Sequence, residues 1–339
     1  MDPMGAVFVW AAVSVILVLS SRITDAPLTA GGWVIHSRRM QNSASSPTHT
    51  AAPSRLLARA AGLTALAMMA FAANSILCRL ALKGTGTHAP SYTPLRLPPG
   101  AAVLGLLAWR AGGGVRVGGS WASGLALLAY AAAFSFAYIT LPAGSGALLL
   151  FGAVQVTMIV SGLVGGERPG MMQAAGLALA AAGLVALVLP GVSAPPLLGS
   201  ALMITAGIAW GVYSLRGRKS REPALAATAG NFLRAVPMAL AVLAAALLVD
   251  AGGVRVDGAG VGYALLSGAV ASGMGYALWY ATLPLLTATR AASVQLSVPV
   301  ITALAGVPLL GEPLSLRLVL ASVAVLGGIA LVITGPRRA

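Results

Sequence analysis

Two glutamates and two arginines sit in a chain that is otherwise nearly free of charge along its apolar runs. Gly166-Glu167 lies in VGGERPG and Gly311-Glu312 in LLGEPLS, each between two long apolar segments. Arg96 and Arg234 lie inside apolar segments, each shortly before proline: Leu95-Arg96-Leu97-Pro98-Pro99 and Leu233-Arg234-Ala235-Val236-Pro237. A carboxylate at the edge of an apolar run can accept from free N–H groups at a helix start and suits the positive end of the helix dipole. The prolines that follow, Pro169 and Pro313, suit a helix's first turn. Glu167 and Glu312 are therefore read as caps of the helices that follow them, with proton binding as the sharper alternative. An arginine inside a membrane span costs at least ~2.5 kcal/mol on insertion scales. It persists where it faces a cavity or binds carbonyls, and Pro98, Pro99 and Pro237 leave carbonyls without their helical donor. Arg96 and Arg234 thus either tie down a kink or snorkel to the surface, or they contact an anionic group such as a carboxylate on a ligand.

The elements that must hold these residues follow from composition. Of 339 residues 58% are hydrophobic and 8% charged, and the mean hydropathy is +0.90. Soluble domains carry about 25% charged residues, so the solvent this chain expects is largely lipid. The net charge of +14 does not point to nucleic acid. Its basic residues form short clusters between apolar runs, such as Arg216-Gly217-Arg218-Lys219-Ser220-Arg221, which is the pattern of cytoplasmic loops. Lys83 and Lys219 are the only lysines; with the abundant alanine and glycine this points to a GC-rich bacterial genome. The single cysteine, Cys78, excludes an internal disulfide and reads as packing.

Apolar runs long enough to cross a bilayer are expected near 57–82, 92–109, 121–140, 143–164, 172–190, 197–215, 224–249, 259–281, 288–310 and 314–334. The breaks carry Gly, Pro and charge. The expectation is an all-α integral membrane protein of ten transmembrane helices. Residues 1–55 stand apart as an N-terminal extension, either an extra helix or disordered. Placing the region before residue 57 inside puts Arg110, Arg116, Arg168, Arg216, Arg218, Lys219, Arg221, Arg290, Arg337 and Arg338 on the inner side. Few basic residues then fall outside, so both ends of the ten-helix unit are expected in the cytoplasm.

The chain repeats itself. Beside the two arginine motifs and the two Gly-Glu pairs, Tyr138-Ile139-Thr140-Leu141-Pro142 matches Tyr280-Ala281-Thr282-Leu283-Pro284, in the same order and at nearly the same spacing. A duplication gives one repeat over 56–190 and a second over 196–335, five helices each. Because five is odd, the second copy enters the membrane from the opposite side, and two inverted halves rocking about a midplane site are a transporter's architecture. The Leu-Arg near the start of each second helix and the Gly-Glu after each fourth resemble the EamA domain of the drug/metabolite transporter superfamily. The segments GALLLFGAVQVTMIVSGLVGGERPGMMQAAGLALAAAGLVALV and ASVQLSVPVITALAGVPLLGEPLSLRLVLASVAVLGGIALVIT carry the likeness best. The resemblance, over about residues 57–335, implies ten helices, a central polar cavity and export or exchange of small metabolites. One departure is that the proline common midway along the family's fourth helix is present as Pro299 but replaced by Val154 in the first copy, so the two fourth helices are not expected to bend alike.

The remaining acids, Asp2, Asp25, Glu222, Asp250 and Asp257, lie outside the expected spans, which points to uniport or solute exchange rather than proton coupling. Polar and aromatic candidates inside the spans are Asn74, Gln155, Trp210 and Gln295. Each could instead pack or hydrogen-bond between helices. The GxxxG matches Gly162–Gly166, Gly207–Gly211 and Gly258–Gly262 are read only as tight helix contacts. No HExxH, CxxC, phosphate loop or GxSxG is present, so an enzyme is not expected, nor a metal, cofactor or nucleic-acid partner. The expected function is secondary transport of a small amino-acid-like metabolite across the cytoplasmic membrane by alternating access. Arg96, Arg234, Asn74, Gln155, Trp210 and Gln295 would line the site. Efflux of drug-like compounds is the alternative, and an intramembrane enzyme or scaffold the alternative of another class.

Overall fold

The computed structural model describes residues 52–112, 118–166, 169–191, 194–249, 254–286 and 288–334. The expected N-terminal extension up to residue 51, Glu167, Arg168 and the two C-terminal arginines lie outside the described residues. Every regular element among the described residues is helical. They are α1 Ala52–Gly84, α2 Ala89–Gly112, α3 Trp121–Ala137, α4 Ala143–Val164, α5 Met171–Val188, α6 Leu197–Lys219, α7 Ala224–Val249, α8 Gly258–Leu266, a π-helix Ser267–Met274, α9 Gly275–Thr282, a short 3₁₀ turn Leu283–Leu285, α10 Ala288–Gln295, α11 Ser297–Leu310 and α12 Leu316–Thr334. α1 begins at Ala52, ahead of the first expected span and across the expected domain boundary.

Eight of the described helical stretches are long and apolar enough to cross a membrane, against the ten expected. The two that fall short are α2 and α3. α2 carries Arg96, Arg110 and three internal prolines, Pro94, Pro98 and Pro99, which lower its hydropathy. α3, with 17 residues, is below the usual length of a span. The chain is nonetheless an integral multi-pass membrane protein by the length and polarity of the other eight.

Local chemistry sets the ends. Ser120 caps α3 by accepting from the N–H of Ser123, and Asp257 caps α8 by accepting from Ala259 and Gly260. Gly311 ends α11 at φ 64°, a left-handed position suited to glycine. Pro299 withholds the N–H that Gln295 would otherwise receive, and α10 and α11 are separated there, at Leu296, whereas α4 runs unbroken past Val154. The unequal bending expected of the two fourth helices is therefore seen.

Packing follows a paired scheme. α5 lies on α12, α2 on α7, and α3 on α6, while α1 packs on α8, the π-helix and α9; α4 meets α6 as α11 meets α1. α5 and α12 run antiparallel, because Gln173 at the start of α5 reaches the carbonyl of Val332 at the end of α12. At the other end Arg317 reaches the carbonyls of Leu187 and Leu189. Glycine lets these two backbones touch: a Cβ on Gly176 would stand 2.5 Å from the Gly328 carbonyl oxygen, and one on Gly328 2.5 Å from that of Gly176. α1 is central, with 61% of its apolar window buried, whereas α7, at 17%, turns its leucines and valines outward to lipid. Of the three GxxxG matches, Gly207 and Gly211 press on α4, but Gly166, Gly258 and Gly262 face open space.

Candidate functional site

The centre of the bundle is a ring of aromatic side chains around a small polar pocket. Tyr130 and Phe134 on α3 and Tyr138, which caps its C-terminus, are four residues apart and so share one face. Trp210 on α6 stands among them: it meets Tyr130 at 5.3 Å between ring centroids, Phe151 of α4 at 5.5 Å and Phe71 of α1 at 6.1 Å. The approach is set by glycine, since a Cβ on Gly207 would lie 2.6 Å from the Leu150 carbonyl oxygen. Phe71 also packs edge-on against Tyr276 and Trp279 of α9.

Asn74 on α1 ties this ring to the far side. Its amide donates to the Tyr130 hydroxyl at 3.1 Å, and its carbonyl oxygen accepts from the Ser267 hydroxyl at 2.7 Å. Ser267 opens the π-helix. Its wider i→i+5 winding stacks Ser272 over the same face, so both serines turn toward the centre. Ala271 and Ser272 from this helix, Tyr276 from α9, Asn74, Ser75 and Phe71 from α1, and Tyr130, Phe134, Leu150, Phe151 and Trp210 line the cavity. The space left between them is about 10 Å³, room for one water. The central hollow that the resemblance implies is thus nearly filled by its own rings.

Arg96 stands behind the wall of this cavity, against Tyr130 and Phe134, which line it. It is 2% exposed. Its guanidinium carbon lies 5.2 Å from the Phe134 ring centroid, 5.9 Å from that of Tyr130 and 6.0 Å from that of Tyr92. Nη1 is buried with no hydrogen-bond partner, as is the Tyr92 hydroxyl. Rings stabilise a desolvated cation by about 2 kcal/mol, less than the ~2.5–3.5 kcal/mol that insertion of a charge costs. The missing hydrogen bond adds to the deficit.

The matching Arg234 is placed otherwise. It is half-buried, and its guanidinium donates to the carbonyls of Gly118 and Gly230. This is the structural role weighed for both arginines, and Arg234 alone fills it. Of the six expected residues the structure brings Asn74 and Trp210 to the cavity. Arg96, Arg234, Gln155 and Gln295 are not among the lining residues: Arg96 lies behind the rings of Tyr130 and Phe134, Gln155 is buried in α4, and Gln295 closes α10 just before the break.

Glu312 corrects an expectation. It does not cap the helix that follows it; Ser315 accepts there from the N–H of Leu318. Glu312 Oε2 instead accepts from Ala143 N–H at 2.6 Å, at the start of α4, where the residue before the helix is Pro142 and offers no side-chain acceptor. Its Oε1 pairs with Arg79 Nε at 2.8 Å. Arg79 also donates to the carbonyls of Tyr138 and Ile139, each at 2.9 Å. Arg79 was not singled out in the sequence, although the expected orientation puts its end of α1 and Glu312 at the same end of the bundle. The aromatic ring was missed too, although the fourfold spacing of Tyr130, Phe134 and Tyr138 marks one helical face. Tyr138 is fully buried with its hydroxyl on the Ala143 carbonyl.

The model of the EamA-like transporter family matches residues 197–334. Uncharacterized protein PA1977 of Pseudomonas aeruginosa is 58% identical over 272 residues, covering 80% of this chain and 93% of that protein. A solved crystal structure 23% identical in sequence superposes with a TM-score of 0.56 over 80% of this chain and 97% of its own, a likeness of fold alone.

Proposed function

Because this chain belongs to the EamA-like transporter family, whose members move solutes across membranes, we propose that it is a secondary transporter of the cytoplasmic membrane that exports or exchanges a small amino-acid-like metabolite by alternating access. The observation that carries the reading is the hydrogen bond from Ser267 to Asn74 across the central cavity. It joins the first half of the chain to the second at a polar, ring-lined point where elements of both meet. The packing scheme supports ten membrane crossings in two inverted halves over 56–190 and 196–335: equivalent helices pair, α5 with α12 and α2 with α7, and α5 opposes α12. In such a design the two halves rock about the cavity, and each end opens in turn. The basic clusters between the apolar runs support a topology with both ends of the ten-helix unit in the cytoplasm.

Asn74 and Trp210 are the lining residues most directly exposed to a solute in this reading, with Arg96 beside them. The aromatic walls also suit flat drug-like compounds, which is the second reading. The test is counterflow in proteoliposomes with a panel of labelled amino acids and planar amphipathic dyes. Saturable counterflow of a panel member, slowed at least tenfold by Trp210→Ala, is expected. Uptake no faster than in protein-free vesicles across the whole panel would refute transport by this protein. Counterflow of the dyes alone would replace the metabolite reading by the efflux one.

A further inference from the structure

We infer that Arg96 anchors a carboxylate on the transported solute, an inference that rests on the transporter reading above and names the group its site recognises. Three observations meet at this residue. It is 2% exposed, deep in α2. Its Nη1 has no hydrogen-bond partner, and among the described residues the one ion pair is Arg79 with Glu312, so no carboxylate among them neutralises it. Its guanidinium is held among the rings of Tyr92, Tyr130 and Phe134, and Tyr130 and Phe134 are themselves walls of the central cavity.

The duplicated arginine serves as an internal comparison. Arg234 occupies the corresponding place before Pro237, and its guanidinium is spent on the carbonyls of Gly118 and Gly230. A purely structural arginine on this helix would be satisfied in the same way. Arg96 has its own prolines one turn on, yet its Nη1 takes none of the carbonyls they leave free. Its donor is left for something that is not part of the chain.

The chemistry of that partner follows. A guanidinium is planar and presents paired N–H groups that fit a carboxylate edge. One cation is available here, since Arg79 is already neutralised, so a monoanion balances the site and a phosphate dianion does not. The Tyr92 hydroxyl, also buried without a partner, lies one turn before Arg96 on α2 and is a second donor. The aromatic walls accept an apolar or aromatic side chain on the same solute.

The test uses the full chain in nanodiscs and in proteoliposomes, with L-phenylalanine and L-leucine, each beside its amide and its deaminated acid. Thermal unfolding reads binding, and counterflow reads transport. The carboxylates, zwitterionic or simply anionic, should raise the Tm and drive counterflow, while the amides should do so at least tenfold more weakly. Arg96→Gln should abolish the preference for acid over amide, Arg96→Lys should retain part of it, and Arg216→Gln, at an exposed arginine bonded to Ser120 and Ser123, should leave it intact. Should Arg96→Gln fail to fold, the acid-to-amide comparison on the wild-type protein decides alone. Equal binding of acid and amide by the wild type, or an unchanged preference in Arg96→Gln, overturns the anchor while transport stands. Counterflow of uncharged solutes with no carboxylate bound overturns it likewise. Absence of counterflow for every solute overturns the anchor and the transporter reading together.

Discussion

Arg79 and Glu312 meet at 2.8 Å although 233 positions separate them, and through this pair the end of α1, the turn between α3 and α4, and the segment joining α11 to α12 are fastened at one point. Glu312 supplies the start of α4 with the acceptor that Pro142 lacks, and Arg79 takes up two carbonyls at the end of α3. Neither residue has a second protein partner of opposite charge among the described residues. The knot is thus a cap, a staple and an ion pair at once.

Removing one member of a buried pair leaves an unbalanced charge and costs about 3–5 kcal/mol. Arg79→Ala should therefore lower the unfolding midpoint of the purified protein strongly. Glu312→Ala should do the same, and Glu312→Gln less, because its amide oxygen still accepts from Ala143 N–H. A midpoint unchanged in Arg79→Ala, followed by thermal unfolding in detergent, would show that the pair holds nothing together.

The contact between α5 and α12 rests on two glycines. Gly176→Ala and Gly328→Ala each force a methyl to 2.5 Å from the opposing carbonyl oxygen, and should cost about 1–3 kcal/mol by overpacking. Gly327→Ala, next door, meets nothing within 4 Å and should be neutral or stabilising by up to about 1 kcal/mol through helix propensity. The ordering of the three midpoints is the measurement; equal effects at 327 and 328 would contradict the close approach.

Ser267→Ala removes the hydroxyl that Asn74 accepts from across the cavity. Interhelical hydrogen bonds of this kind contribute about 0.6 kcal/mol in membrane proteins, so the Tm should barely move. Under the proposed alternating-access reading the counterflow rate should change several-fold, because the bond joins the first part of the chain to the second beside the cavity. A rate equal to wild type with an unchanged Tm would assign Ser267 no part in the cycle.

Orientation is open to labelling because Cys78, the only cysteine, is buried and does not compete. Arg218→Cys should react with an impermeant maleimide only from the cytoplasmic side and Asp257→Cys only from the outside. Both reacting from outside intact cells would reverse the assigned topology.

Much of this was legible in the residues. Apolar length marks helices because backbone polar groups in lipid must be satisfied within the segment, and the structure places helices within every expected span. Pro299 foretold the break at Leu296 because a missing N–H acts on the carbonyl one turn back, a local effect.

Other matters were decided only when the helices packed. Arg96 and Arg234 look alike in sequence, yet one reaches two carbonyls and the other sits among rings with a free donor. Glu312 looks like the cap of its own helix, yet it serves α4 and Arg79. The sequence by itself determined where the chain coils and where it breaks, because those depend on neighbours within a turn or on the transfer of each segment into lipid. Tertiary structure alone decided which faces meet, since these helices are apolar nearly all round and no stripe marks an inward side. A buried donor or acceptor then takes whichever partner the packing brings within about 3 Å, and that partner can lie anywhere along the chain.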